Sequence, residues 1–292
     1  MFTHIFENID VPPLWLAAAA LGVAVVAYIL GCFNGSVVVS RYILRDDVRA
    51  HGSGNAGLTN FYRTFGGPLT LAVILSDVLK AVLAVLFGAF IAGRLSPELV
   101  VLSKYWAGVF CLLGHMYPCT FQFRGGKGIL SGGTIVWMID WRVGLVAWVL
   151  FLVLAVLTRY VSLGSIAAAA SFPVTSAIVY RDGLITLFAV FLGGLVIWKH
   201  RSNIVRLVKG TESKFTLHRK QPAEAAPIEP EDAPVEAPVE AASEVPEESA
   251  GAGSEVSAEE SAEAASEAPA EKLAQEEPAA EAPAGDGGED EP

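Results

Sequence analysis

Four short polar segments interrupt an otherwise apolar run between residues 13 and 199, and each is built of residue types that bind anions. The first is His51-Gly-Ser-Gly-Asn-Ala-Gly-Leu-Thr-Asn60, whose small residues let backbone N–H groups turn towards a bound anion. Ser53, Asn55, Thr59 and Asn60 add polar side chains to it, and Arg63 just beyond has the planar fork that grips two phosphate oxygens. An ordinary polar loop between helices has the same composition. The second segment, Arg124-Gly-Gly-Lys-Gly128, is not a Walker A loop, because its spacing differs and Ile129 follows Gly128. Its physics is similar: N–H groups of Gly125, Gly126 and Gly128 at a helix start, with Lys127 as a point charge, suit a phosphate. The plainer alternative is a basic anchor at a membrane interface.

The third segment, Thr158 to Ser165, places Ser162 and Ser165 three apart on one helical face, where they can either line a site or cap the helix. The fourth runs from Lys199-His-Arg-Ser-Asn203 to Gly210-Thr-Glu212. His200 and Asn203 share a helical face there, and Glu212 follows the turn at Gly210. A histidine in that position also suits a helix C-terminus as a cation. Asp77 and Lys80, i and i+3 in an apolar segment, must face the interior and pair or meet water, since each costs about 2.5–3.5 kcal/mol at a helix centre. They serve either as a structural pair or as support for a site. No H-x-x-x-x-D, G-x-S-x-G or H-E-x-x-H motif occurs, so neither a His–Asp acyltransferase base nor a serine elbow nor that zinc site is indicated. No metal or cofactor is expected.

The elements that must position these groups are membrane helices. Apolar segments run over roughly 13–33, 68–92, 99–117, 128–140, 143–157, 161–180 and 184–198, against the approximately 20 residues that cross a bilayer core. The fold expected is all-α and integral to the membrane, with about seven transmembrane helices. Two of them, the fourth and fifth, are short and could form a shallow hairpin. No Lys or Arg precedes Arg41, so the first segment lacks the basic start of a cleaved signal peptide and reads as a retained helix. Counting crossings puts all four polar segments on one side, together with fourteen Lys and Arg against three (Arg94, Arg142, Arg181) on the other. The positive-inside rule makes the richer side cytoplasmic, with the N-terminus outside and the C-terminus inside.

Charge divides the chain at about residue 220. Residues 1–220 hold nineteen of the 20 Lys and Arg and nine of the 31 Asp and Glu, a net of +10, and residues 221–292 carry −21. The second part is Ala/Glu/Pro/Ser low complexity, expected to be a disordered cytoplasmic tail after a membrane domain at 1–220. It is either a solvated spacer or a segment that folds back on the basic face or meets a basic partner, whose identity is unknown. Three cysteines, Cys32, Cys111 and Cys119, lack the spacing of a disulfide framework or a zinc site, and packing is the expected role.

Taken in order, "GSGNAGLTNFYRTFGG", "DVLKAV", "GHMYPCTFQFRGGKG", "TRYVSLGSIAA" and "HRSNIVRLVKGTE" resemble the successive motifs of the bacterial membrane acyl-phosphate:glycerol-3-phosphate acyltransferases. The likeness runs from about Tyr28 to Glu212. It implies a bacterial inner-membrane enzyme with its site on the cytoplasmic face. Such an enzyme moves a fatty acyl group from acyl phosphate to the 1-hydroxyl of glycerol 3-phosphate, among membrane lipid and without nucleic acid. It also implies that Ser53, Arg63, Ser162, His200 and Asn203 belong to the catalytic site, and that Gly125, Gly126 and Lys127 bind the phosphate of glycerol 3-phosphate. Cys32 stands where the family commonly has Ser, Leu58 where Ala is usual, and Ile129-Leu130 where Val-Ala is usual. Acyl phosphate is already activated, so the demand falls on positioning two anions rather than on a strong base. Two other classes compete. A transporter of a phosphorylated solute would need an inverted repeat and a midplane site, and no repeat is seen. A non-catalytic scaffold would leave the ordered motifs without a purpose.

Overall fold

The computed structural model describes residues 9–215, and among these every regular element is helical. The expected acidic tail, 221–292, lies outside the described residues. Each apolar segment of the sequence becomes a helix: α1 (Pro13–Cys32), α4 (Leu69–Leu95), α5 (Leu99–Met116), α6 (Ile129–Ile139), α7 (Trp141–Thr158), α8 (Val161–Tyr180) and α9 (Gly183–Lys199). Three shorter helices are α2 (Gly35–Val38), α3 (Leu58–Thr64) and α10 (Arg201–Val208), and the last two carry parts of the first and fourth polar segments. Among the described residues five helices are long and apolar enough to cross a membrane, and α9 with α10 makes a sixth if that pair, bent by 58°, is one span. One expectation needs correcting. Of the pair thought short, only α6 is, at 11 residues, whereas α7 has 18 and starts two residues earlier than its hydropathy suggested.

The reason for that boundary is Asp140. Its carboxylate accepts a hydrogen bond from Arg142 N at 2.8 Å, capping α7, and pairs with the Arg142 guanidinium at 2.8 Å. Tyr180 Oη, at the end of α8, donates to the same carboxylate at 3.1 Å. The hydrogen bond from Arg142 outweighs partial burial and holds the Asp140 carboxyl down at about 2. Lys104, within α5, donates to the last carbonyls of α6, Met138 O at 3.0 Å and Ile139 O at 3.4 Å, which are the acceptors that a helix end leaves open. Because α6 and α8 finish at one level but α6 is nine residues shorter, the turn that opens α6 begins below the start of α8.

Large apolar side chains point outward as well as inward. Leu71, Leu75 and Leu79 on α4 and Val149 and Val153 on α7 are exposed, as lipid contact requires. The interior is made close by small residues: a Cβ on Gly31 of α1 would overlap Cys111 O, and one on Gly114 of α5 would overlap Tyr28 O. A second, smaller apolar cluster (Val37, Val48, Ala56, Phe61, Val73 and Phe121) pins the connection between α1 and α3 onto α4.

Asp140→Ala removes both the cap and the ion pair, whereas Asp140→Asn keeps a capping oxygen. The alanine protein is expected to lose about 1 kcal/mol through the cap and to melt below the asparagine protein, itself below wild type, in detergent thermal unfolding. Because the folded carboxyl is depressed, this stabilisation is complete above the ordinary carboxylate range and is lost as pH falls towards about 2.

Candidate functional site

The four polar segments converge on one cavity of about 450 Å³. Ser53, Asn55, Thr59, Asn60 and Arg63 of the first segment line it, with Lys127 and Gly128 of the second, Ser162 and Ser165 of the third, and His200, Asn203 and Glu212 of the fourth. Away from these groups the wall is apolar, formed by Leu112, Ile135, Trp148, Phe151, Phe172 and Leu192. The cavity therefore has a polar end that suits an anion and an apolar end that suits a hydrocarbon chain.

A continuous hydrogen-bonded network spans the polar end. Lys127 Nζ donates to Asn203 Oδ1 at 2.7 Å, and Asn203 Nδ2 donates to Glu212 Oε1 at 2.7 Å. The same Glu212 oxygen accepts from Ser162 Oγ at 2.6 Å, and Arg206 Nε reaches Glu212 Oε2 at 2.9 Å. Partial burial opposes the Glu212 charge, but hydrogen bonds from Ser162, Asn203 and Arg206 outweigh it and hold the carboxyl below its usual range. Arg206 was not singled out from the sequence, although it sits three residues beyond Asn203 on the same helical face. His200 is buried at the bend between α9 and α10, and its Nδ1 lies 2.7 Å from Val196 O, so that nitrogen carries a proton. Ser165 Oγ bonds back to Val161 O at 2.8 Å within its own helix. The chain after α10 crosses the cavity mouth: Phe215 N donates to Arg159 O at 2.7 Å, and Arg63 Nη2 reaches Ser213 O at 3.4 Å.

Two expectations about how the loops work are revised by their hydrogen bonds. Asn60 donates to Val48 O at 3.0 Å and His51 O at 2.9 Å and accepts from Ser53 N at 3.1 Å, so its amide holds the first loop in shape. The N–H groups of Gly125 and Gly126 are committed to Met116 O and His115 O, each at 3.2 Å, and are not turned to the cavity. These glycines are instead required by close approach. A Cβ on Gly125 would overlap His115 O, and one on Gly126 would overlap His115 Nε2 and lie 2.6 Å from Ala56 O. Gly128, with φ +77°, makes the left-handed turn into α6.

Beneath this loop lies a buried cluster that sequence reading only half found. Lys80 Nζ is 2.8 Å from Asp77 Oδ1, 2.7 Å from His115 Nδ1 and 2.8 Å from Phe33 O at the end of α1. All three ionisable side chains are at least 95% buried. With Nδ1 accepting from the ammonium, a neutral His115 carries its proton on Nε2, the edge that faces Gly126. The missed signal was His115 itself, a polar residue late in an apolar helix that also holds no partner of its own within reach.

The family model for glycerol-3-phosphate acyltransferase matches residues 21–210. A curated glycerol-3-phosphate acyltransferase of Thermoanaerobacter pseudethanolicus is 40% identical over 192 residues, which is 66% of this chain and 93% of that one. That of Paraburkholderia xenovorans is 35% identical over 210 residues, 72% of this chain and 97% of its own length. The fold is similar to a crystal structure of an integral membrane glycerol 3-phosphate acyltransferase in its glycerol 3-phosphate form. The TM-score is 0.61 and the identity 32%, covering 68% of this chain and 96% of that one. Its lysophosphatidic acid form gives a TM-score of 0.58 at the same identity, covering 68% and 95%.

Gly126→Ala tests whether close packing on His115 positions the loop. The methyl group has to displace both the imidazole and the Ala56 carbonyl, so turnover is expected to fall at least tenfold while the protein still inserts and purifies. Activity within twofold of wild type would show that the contact carries no functional weight.

Proposed function

Because the chain belongs to the glycerol-3-phosphate acyltransferase family, we propose that it transfers a fatty acyl group from acyl phosphate to the 1-hydroxyl of glycerol 3-phosphate. The products are lysophosphatidic acid and inorganic phosphate. The observation that carries this reading is the single cavity with a polar end fed by all four motifs and an apolar end among α5, α6, α7, α8 and α9. A two-ended site fits a reaction in which both substrates carry phosphate and one also carries a long hydrocarbon chain.

In the reaction, the hydroxyl oxygen attacks the acyl carbonyl carbon and the bond from that carbon to the phosphate oxygen breaks. The hydroxyl proton leaves on the departing phosphate, so no strong protein base is needed. Lys127 and Arg63 supply positive charge against the two anions, and Ser53 with the loop 52–57 supports the donor phosphate. Glu212 is an anion and repels phosphate. Its work is to accept hydrogen bonds, orienting Ser162 and Asn203 and leaving the hydroxyls of the acceptor to be read by the same set. His200, with Nδ1 donating back to Val196 O, is held in place to orient the acceptor hydroxyl.

The site faces the cytoplasm of a bacterial inner membrane, with the N-terminus outside. The argument is the preponderance of Lys and Arg on the motif side, which remains after Lys104 is added to the opposite end. The catalytic unit is residues 1–220, and the acidic segment 221–292 stands outside it.

Purified protein supplied with palmitoyl phosphate and glycerol 3-phosphate is expected to release phosphate in step with lysophosphatidic acid. Release that does not depend on glycerol 3-phosphate would refute acyl transfer. Lys127→Ala should raise the KM for glycerol 3-phosphate at least tenfold, and Arg63→Lys should lower kcat/KM similarly, because an ammonium cannot replace a bidentate fork. A rate limb near pH 6–7 that vanishes in His200→Ala would instead make histidine the base. Deleting 221–292 should leave kcat unchanged and shift KM only at low salt, where charge acts over about 10 Å or more. A truncated protein that inserts but has lost kcat would redraw the domain boundary.

A further inference from the structure

The fold sorts the three cysteines into two kinds. Cys111 is fully buried in α5, with its carbonyl against Gly31. Cys32 ends α1 and is buried, and Cys119 is exposed in the turn after α5. The sequence offered no reason to pair any of them, but the Cys32 and Cys119 sulfurs are 3.7 Å apart. Two contacts keep these surfaces in register: Tyr28 Oη donates to Tyr117 O at 2.9 Å, and Thr120 Oγ1 to Cys32 O at 3.5 Å. Neither sulfur belongs to the cavity or to the polar network.

We propose that Cys32 and Cys119 form a reversible dithiol–disulfide pair, a modification site whose oxidant is a small-molecule disulfide of the glutathione type. Cys119, the exposed member, acts first. Its thiolate attacks one sulfur of the oxidant, forming a mixed disulfide and releasing one thiol. Cys32 then attacks Cys119 Sγ and releases the second. Two protein S–H bonds are lost, one S–S bond forms, and the oxidant is reduced to two thiols by the same two electrons. Closing 3.7 Å to a bond of about 2.05 Å asks for a shift of less than about 2 Å. Phe121 anchors the turn Cys119–Phe121 in the smaller apolar cluster, but Cys119 and Thr120 are exposed, so the shift falls on Cys119 rather than on the helix-bound Cys32. The bond joins positions 87 apart in the chain, tying the end of α1 to the turn. Arg49 grips the same turn through Phe121 O at 2.9 Å, so the tie also reaches the connection that carries the first motif. On a membrane face bathed in a reducing cytosol the pair stays open and closes only under oxidant, as redox-sensing dithiols do.

The test uses the full chain in detergent micelles, equilibrated in graded mixtures of reduced glutathione and glutathione disulfide, then denatured, alkylated, digested and read by mass spectrometry. A Cys32–Cys119 linked peptide is expected to accumulate with oxidant and disappear with dithiothreitol, while Cys111 remains the alkylatable thiol. Cys119→Ser, at an exposed position that does not threaten the fold, should abolish the link. Cys32→Ser should trap Cys119 as its glutathione adduct. A wild-type protein that stops at the glutathione adduct, or that links Cys119 to Cys111 or to a second molecule, overturns the proposal.

Discussion

The interaction on which the rest depends is the buried contact of Lys80 with Asp77 and His115. A charge at the middle of an apolar helix costs about 2.5–3.5 kcal/mol on insertion scales, and breaking a buried pair by removing one partner costs about 3–5 kcal/mol. The Lys80 ammonium therefore has to be met from several sides at once. α4 supplies Asp77, α5 supplies His115, and the unwound end of α1 supplies the carbonyls of Gly31 and Phe33. The requirement fixes three helices against one another at the depth where the glycine loop rests. Ser131, in the first turn of α6, adds a further tie by donating to Asp77 O at 3.2 Å.

From that floor the site is built upward in two layers of different chemistry. Below, the groups are desolvated and already satisfied, which makes them rigid and poor ligands. Above, Lys127, Asn203, Glu212, Ser162 and Arg206 form a chain in which one carboxylate gathers several donors. Such a network can exchange a partner for a substrate oxygen without leaving a group unpaired. Its positive charge is partly offset, with Glu212 set against Lys127 and Arg206. A site of fixed cations alone would hold anions tightly. Coupling the cations to an internal carboxylate moderates that attraction.

The apolar helices could be read from the residues, because hydropathy is a local sum that needs no partner. The polar residues of the site were legible for the same reason: Ser53, Arg63, Lys127, Ser162, His200, Asn203 and Glu212 stand out against an apolar background, and all line the one cavity. What each does was less legible. Asn60 and the Gly125–Gly126 pair read as ligand contacts by composition, yet their hydrogen-bonding groups are taken up by Val48, His51, His115 and Met116.

Those assignments belong to tertiary structure because a hydrogen bond needs a partner at a set distance and angle, and sequence spacing supplies that only within a helix turn. Asp77 and Lys80 are three residues apart, so their pairing could be anticipated. His115 is 35 residues from Lys80, and only the packing of α5 on α4 brings it to 2.7 Å. The boundary between α6 and α7 was misjudged for a different reason: an apolar profile does not register that the Asp140 carboxylate caps α7 through Arg142 N, two residues on. The sequence by itself determined a membrane helix bundle with its polar motifs gathered at one face. Tertiary structure decided which polar groups meet each other and which remain for a substrate, since that depends on contacts between helices distant in the chain.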